Sequence, residues 1–288
     1  MKLKSSLWVV ISLLGAICAL TIFFSCSNGD TTEGGDTEKS ITSSPQSKPL
    51  PLNLSIFVDL SDRILKEKNG MRQYEKDQAI INGLAKSFIN KQTKNGFSKS
   101  EDCFQVVFYP APAGADSLAE NLSLDLKATH GPKKKPLLNF KQNQPNHTKD
   151  LYDRAINEQN FFGSDIWGFF SKDKVSDLCK PDYRNVLVIL SDGYLYDANN
   201  KIKDGKNYSY ILPQTLGISG SGLIPCKISN TDIEIYFMEC NATPETDYPK
   251  MKKVLENWFN EMGIDVVDIQ DTDIPVNILK HLSTRIFE

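Results

Sequence analysis

From Asn53 to the C-terminus, short apolar runs alternate with stretches of helical period, and that alternation limits the fold more than any other feature of this 288-residue chain. Leu54–Val58 is apolar except for Ser55, as suits a strand buried on both faces. Ile80, Ile81, Leu84, Ala85 and Phe88 recur at helical spacing and predict an amphipathic helix over Tyr74–Asn90. Gln105–Tyr109 predicts a second buried strand, stopped by Pro110, and Leu122–Leu126 alternates apolar and polar like a more exposed edge strand. A long loop with three prolines follows. Thr148 then reads as the N-cap of a helix that carries Leu151, Tyr152, Ala155 and Ile156 on one face. Ile166–Leu178 predicts another helix, and Val186–Leu190 is the most strand-like run of all. Tyr194–Asn230 has weak periodicity and many glycines. Ile233–Met238 predicts a strand, Met251, Val254, Leu255, Trp258, Phe259 and Met262 a helix, and Val266–Ile269 a last strand. Pro275–Ile286 closes the chain as a helix with Pro275 in its first turn.

Strands that alternate with helices predict an α/β fold. The expected architecture is doubly wound: a mostly parallel six-stranded sheet with one antiparallel edge strand and helices on both faces. Residues 52–288 fit one such domain, and no internal repeat is visible.

The first 51 residues stand apart. Lys2 and Lys4 precede an apolar run from Leu7 to Phe24, and Ser25-Cys26-Ser27 follows it. A basic start, an apolar stretch and a small residue at a cleavage point read as an export signal over 1–25. The Cys directly after that point resembles the lipobox of bacterial lipoproteins, which implies that Cys26 becomes a lipidated first residue. Residues 26–51 are rich in Gly, Ser, Thr, Asp and Pro, bury too little to fold, and read as a flexible tether. The expected location is the cell envelope, on a membrane through the N-terminal lipid. A net charge of -3 gives no nucleic-acid footprint, and the Lys133-Lys134-Lys135 run reads as a solvated loop.

Cys18 belongs to the signal, which leaves Cys103, Cys179, Cys226 and Cys240. Their spacing is not that of a zinc site. An exported compartment permits disulfides, and four cysteines allow three pairings. Cys179 and Cys226 each lie before a strand, so a Cys179–Cys226 bridge is expected if those strands are neighbours.

Ligands of open parallel sheets bind beyond the carboxyl ends of the strands. The first strand ends in Asp59-Leu60-Ser61-Asp62-Arg63, the strand Val186–Leu190 ends in Ser191-Asp192-Gly193, and Gly163-Ser164-Asp165 stands where a helix begins. Carboxylate and hydroxyl oxygens from three loops suit a hard cation. The set and its order resemble the von Willebrand factor A domain, whose metal-ion-dependent adhesion site takes Asp-x-Ser-x-Ser, a Thr and a Thr/Ser-Asp-Gly from the same elements. The resemblance implies a metal site of Asp59, Ser61, Ser164 and Asp192, with Ser164 in the place of the Thr. It also implies Mg²⁺, or Mn²⁺ or Ca²⁺, with one coordination position left for a partner's carboxylate. Arg63 stands where the family has its last Ser. A guanidinium cannot coordinate a cation, and the sequence allows it to take the ion's place by bridging Asp59 and Asp192. Asp62 and Asp165 modify the site or cap the helices they precede.

The resulting expectation is a non-enzymatic binding or adhesion module for a protein or surface polymer, with Tyr194–Asn230, and Tyr194 and Tyr196 within it, on the partner-binding surface. Two alternatives remain open: a metal-dependent phosphoesterase or nuclease built on Asp59, Asp62, Asp165 and Asp192, and a scaffold protein whose site Arg63 has sealed. No Gly-x-Ser-x-Gly elbow and no phosphate-cradling Gly-rich loop is present, which disfavours a serine hydrolase or a nucleotide enzyme.

Overall fold

Seven residues in a row, Leu52–Val58, are buried and form the strand β1. Even-numbered side chains from Leu52 to Val58 face one side of the sheet and Phe57 faces the other, the period of two that a pleated strand imposes. The computed structural model describes residues 49–288 apart from 69, 95–99, 112–114, 158–162 and 243–246. The export signal read over 1–25, Cys26 and the tether up to residue 48 lie outside the described residues.

In chain order, β1 is followed by a two-stranded hairpin, β2 (Glu67–Lys68) and β3 (Met71–Arg72), and by helix α1 (Gln73–Lys94). Next come β4 (Cys103–Val107), α2 (Asp116–Asn121), β5 (Leu124–Asp125), α3 (Lys134–Asn157), α4 (Ile166–Ser171) and β6 (Arg184–Leu190). The connection after β6 holds β7 (Lys203–Asp204), β8 (Asn207–Tyr208), α5 (Pro213–Leu216) and β9 (Gly222–Leu223). The chain closes with β10 (Glu234–Cys240), α6 (Tyr248–Glu261), β11 (Val266–Asp271) and α7 (Pro275–Phe287).

Six strands form the main sheet in the order β11-β10-β6-β1-β4-β5. All neighbours run parallel except β5, which pairs antiparallel with β4 at the edge. This is the doubly wound sheet expected from the sequence. One apolar layer sets α1, α3 and α7 against the sheet. The other sets α4, α6 and the β6–β10 connection against its opposite face, with Phe57 on Phe169 and Phe170 on Trp258, centroids 5.0 and 5.1 Å apart. From β1 the chain winds outward to β4 and β5, then returns to β6 on the other side. Strand order therefore reverses between β1 and β6, where such folds place their ligands.

Three expectations change. The loop before Thr148 is helix: α3 starts at Lys134, and Thr148 is buried within it, donating to the Gln144 carbonyl at 3.0 Å. Pro145 interrupts the backbone ladder there. Leu137, Phe140, Gln144, Thr148, Leu151, Tyr152 and Ala155 nevertheless keep one continuous buried stripe, whose packing outweighs the lost bond. The helix predicted over Ile166–Leu178 stops at Ser171, where Asp173 takes a positive φ of 56°; Ser176–Leu178 is a separate 3₁₀ turn. The Cys179–Cys226 bridge is absent, although β6 and β10 are neighbours. The Cys179 thiol turns back to the Val175 carbonyl at 3.6 Å, and the Cys226 thiol faces the carbonyls of Trp167 and Ile224.

The β6–β10 connection also differs from a surface loop. Leu195, Ile211, Leu216, Leu223 and Cys226 belong to the second apolar layer. The indole N–H groups of Trp167 and Trp258 both donate to the Ile224 carbonyl, at 3.0 and 2.9 Å, and pin the connection between α4 and α6.

Candidate functional site

The carboxyl ends of β1 and β6 bring together the loops that the sequence singles out. Asp59 follows β1 directly and is 1% exposed. Its Oδ2 accepts from Ser191 Oγ at 2.7 Å, and its Oδ1 accepts from the Ser61 backbone N–H at 3.0 Å. Asp192, also buried, follows Ser191 on the adjacent strand end; its Oδ1 accepts from the Tyr194 N–H at 3.2 Å. An isolated antiparallel bridge between Leu60 and Gly163 lays the third loop beside the first. Gly193, at φ 85°, turns the Asp192 loop where any side chain would strike Met251, whose sulfur lies 2.3 Å from the position a Cβ would take.

Arg63 lies under this rim with a fully buried side chain, but it does not bridge Asp59 to Asp192 as the sequence suggested. Its Nε donates to the Asp59 carbonyl at 3.1 Å and lies 3.3 Å from Asp59 Oδ2. Its Nη2 donates to Asp77 Oδ2 at 2.7 Å and to the Leu190 carbonyl at 2.6 Å. The guanidinium points into α1 because Asp77 there is a fully buried carboxylate that needs a cation. Burial opposes the Arg63 charge, yet Asp77 and then Asp59 outweigh it and hold the group charged above its ordinary range. The cation on Asp192 is instead Lys66, whose Nζ is 3.1 Å from Oδ2. Asp192 is still held above the usual carboxylate value, first by burial and then by Asp59, against the pull of Lys66 and Arg63.

A deeper polar layer continues from Asp77. Gln73 Nε2 bridges Asp77 Oδ1 and Glu239 Oε2 at 2.9 and 2.7 Å, and Tyr152 donates to Asp77 Oδ2 at 3.0 Å. Thr272 donates to Glu239 Oε2 at 2.9 Å. Glu239 is fully buried and takes a φ of 73°, the left-handed region that a residue with a Cβ disfavours. Burial first, then Asp77, raises its carboxyl above the ordinary value.

Asp62 is exposed in a 3₁₀ turn. Asp165 is the N-cap of α4: Oδ1 accepts from the Gly168 N–H at 2.7 Å, and both its oxygens accept from Asn200. A Cβ on Gly168 would lie 2.0 Å from Asp165 Oδ2, so glycine is what admits the cap. The four aspartates named for a two-ion centre therefore have separate employments. Ser191, Lys66, Asp77, Gln73 and Glu239 were missed. The visible signal was Asp77 itself, four residues before Ile81 on the apolar stripe of its helix, where a charge must be buried.

The donors do not suit a resident divalent ion. Asp59 has both oxygens engaged, Asp192 is paired to an ammonium, and a guanidinium fills the position of the last hydroxyl ligand. An ion there would meet the buried Arg63 guanidinium at close range, and the half-exposed Lys66 ammonium would have to leave Asp192. Ser164 Oγ is the one buried oxygen of the set with no hydrogen-bond partner. Among the described residues no three His, Cys, Asp or Glu side chains gather as metal ligands do.

No protein-family model matches this chain, and no curated protein does. Solved structures with a similar course exist. An aerotolerance-related membrane protein from Bacteroides fragilis is 10% identical, with 82% of this chain and 98% of that one covered and a TM-score of 0.38. The pilus adhesin SpaC from Lactobacillus rhamnosus GG is 12% identical, with 84% and 31% covered and a TM-score of 0.41. Proximal thread matrix protein 1 from the mussel byssus, described with a zinc-occupied MIDAS motif, is 12% identical, with 83% and 47% covered and a TM-score of 0.35. Values this low carry no function across to this chain.

Proposed function

We propose that the chain is a non-enzymatic binding module of the von Willebrand factor A type, held at the cell envelope by a lipid on Cys26, whose adhesion site works without a divalent ion. The observation that carries this reading is Arg63, buried against Asp59 and Asp77 at 3.3 and 2.7 Å. An internal cation there supplies the charge that a bound ion supplies in the family, and Lys66 does the same for Asp192. What remains at the rim is a surface for a protein or surface polymer, formed by the loop after β1, the Gly163–Asp165 turn and the exposed parts of the β6–β10 connection.

Calorimetry with Mg²⁺ and Mn²⁺ on the wild-type protein tests the reading. No binding heat is expected, and partner capture from envelope extracts is expected to be equal with and without EDTA. Arg63→Ser, if it folds, is expected to acquire a binding signal. Saturable Mg²⁺ binding by the wild type, with capture lost in EDTA, would restore the metal-dependent adhesion account.

A further inference from the structure

At the opposite end of the sheet, a second cluster of reactive groups lies outside the candidate site. Cys103 opens β4 and stands directly across from Asp125 of the antiparallel edge strand. Lys180 reaches both: its Nζ is 3.1 Å from Cys103 Sγ and 2.5 Å from Asp125 Oδ2. The lysine is placed by its backbone, whose N–H donates to Asn185 Oδ1 at 2.9 Å and whose carbonyl accepts from Asn185 Nδ2 at 3.1 Å. Asn185 is in turn held by Asn53 of β1 at 2.8 Å. The Tyr183 ring lies 5.7 Å from the ammonium, and its hydroxyl is buried without a hydrogen-bond partner. Cys103 is 4% exposed, whereas the side chains of Lys180 and Asp125 are about one-third exposed, at 34% and 37%. The partly exposed Lys180 and Asp125 side chains border the buried thiol.

We propose that Cys103 and Lys180 are a modification site, at which peroxide joins the two side chains through a single oxygen as a sulfur–oxygen–nitrogen bridge. One peroxide oxidises the thiol by two electrons to the sulfenic acid and leaves as water. The Lys180 ammonium gives up a proton to solvent, against the hold of Asp125, and a second peroxide oxidises the free amine by two electrons to the hydroxylamine, again releasing water. The sulfenic acid and the hydroxylamine then condense with loss of a third water, leaving Sγ–O–Nζ–H. The net change is one oxygen gained and two hydrogens lost. Two thiols follow the usual route of condensation to a disulfide. Here an amine, already in contact with the sulfur, stands where the second thiol would. Burial pushes the Cys103 thiol up to about 11 against the pull of Lys180, so it is mostly protonated at neutral pH and reacts slowly. The bridge would tie β4 to the segment that leads into β6.

The test is peptide mapping of the full-length protein before and after hydrogen peroxide, without reductant. The expected product is a cross-linked pair of peptides, one with Cys103 and one with Lys180, heavier by one oxygen and lighter by two hydrogens than their sum. Pro181 follows Lys180, so trypsin leaves 175–184 as one peptide that holds both Cys179 and Lys180, and dithiothreitol should return both linear peptides. Cys179 is the residue before Lys180, so the Cys179→Ser variant must still cross-link. Lys180→Arg, which keeps the cation and removes the amine, must not. Recovery of Cys103 as a thiol or sulfinic acid with the 175–184 peptide unlinked would overturn the proposal. A cross-link that lacks the added oxygen would overturn it too, because that mass belongs to a disulfide with Cys179 or to a sulfenamide with Lys180.

Discussion

Arg63 and Asp77 were not equally visible in the sequence. The arginine is conspicuous because it breaks a recognisable pattern, and of the two partners the pattern offers, Asp59 and Asp192, only Asp59 is in contact. The second partner, Asp77, lies in α1, four residues ahead of Ile81, and only the geometry of the helix brings it beneath the strand end. Loss of the guanidinium strands two buried carboxylates, and breaking such a pair from one side costs about 3–5 kcal/mol. Arg63→Ser is expected to lose that much in urea unfolding; a loss below about 1 kcal/mol would mean that the pair is not buried as described. Glu239 gives a pH signature. Its folded pKa is raised, so the folded state holds the proton more tightly than the unfolded chain. The stabilisation this brings is complete below the ordinary value of 4.5 and is lost as pH rises through the folded value. Glu239→Gln, which never ionises, is therefore expected to be more stable than wild type near pH 8, with the gap closing toward about pH 4. Unfolding midpoints at the two pH values check it, and a gap that stays constant would contradict it.

Among the elements, strands were read most faithfully. β1, β6 and β10 are largely apolar, and burial on both faces leaves such runs few other conformations. α3 was misread because Pro136 and Pro145 look like loop residues when weighed locally. Pro136 lies in the first turn, where no backbone donor is missed, and Pro145 is carried by the packing on either side of it. The Asp165 cap is the element on which the rim depends. It starts α4 and, through Asn200, holds the connection after β6. Asp165→Ala is expected to cost about 1–2 kcal/mol. It should also loosen residues near Asn200, which hydrogen exchange would report as faster backbone exchange there than in the wild type. Equal exchange would separate the cap from the connection.

For the whole molecule, alternation of strands and helices was enough to give the doubly wound sheet and to place Asp59 and Asp192 at its reversal point. It was not enough to show that the connection after β6 is half core. That segment looks aperiodic because it packs through isolated residues, Leu195, Ile211, Leu216 and Leu223, and not through a regular stripe. Deleting it would open the second apolar layer, so its role in binding is better probed from outside. Tyr196, Ile202 and Ile218 are its exposed large hydrophobic side chains, at 42%, 48% and 45%, and Tyr196 and Ile218 serve as probes. The paired change Tyr196→Ala and Ile218→Ala is expected to keep stability within about 0.5 kcal/mol, as exposed positions do, and to weaken partner capture. Undiminished capture would move the contact surface elsewhere on the rim.

The Ile224 carbonyl, which accepts from both indoles, has a practical meaning. The chain has three tryptophans, and Trp167 and Trp258 are the two held there. Any event that lifts the connection off the sheet therefore uncovers two natural fluorophores together. Their emission would shift to longer wavelength as water reaches the rings, an optical gauge of the segment's detachment that needs no label.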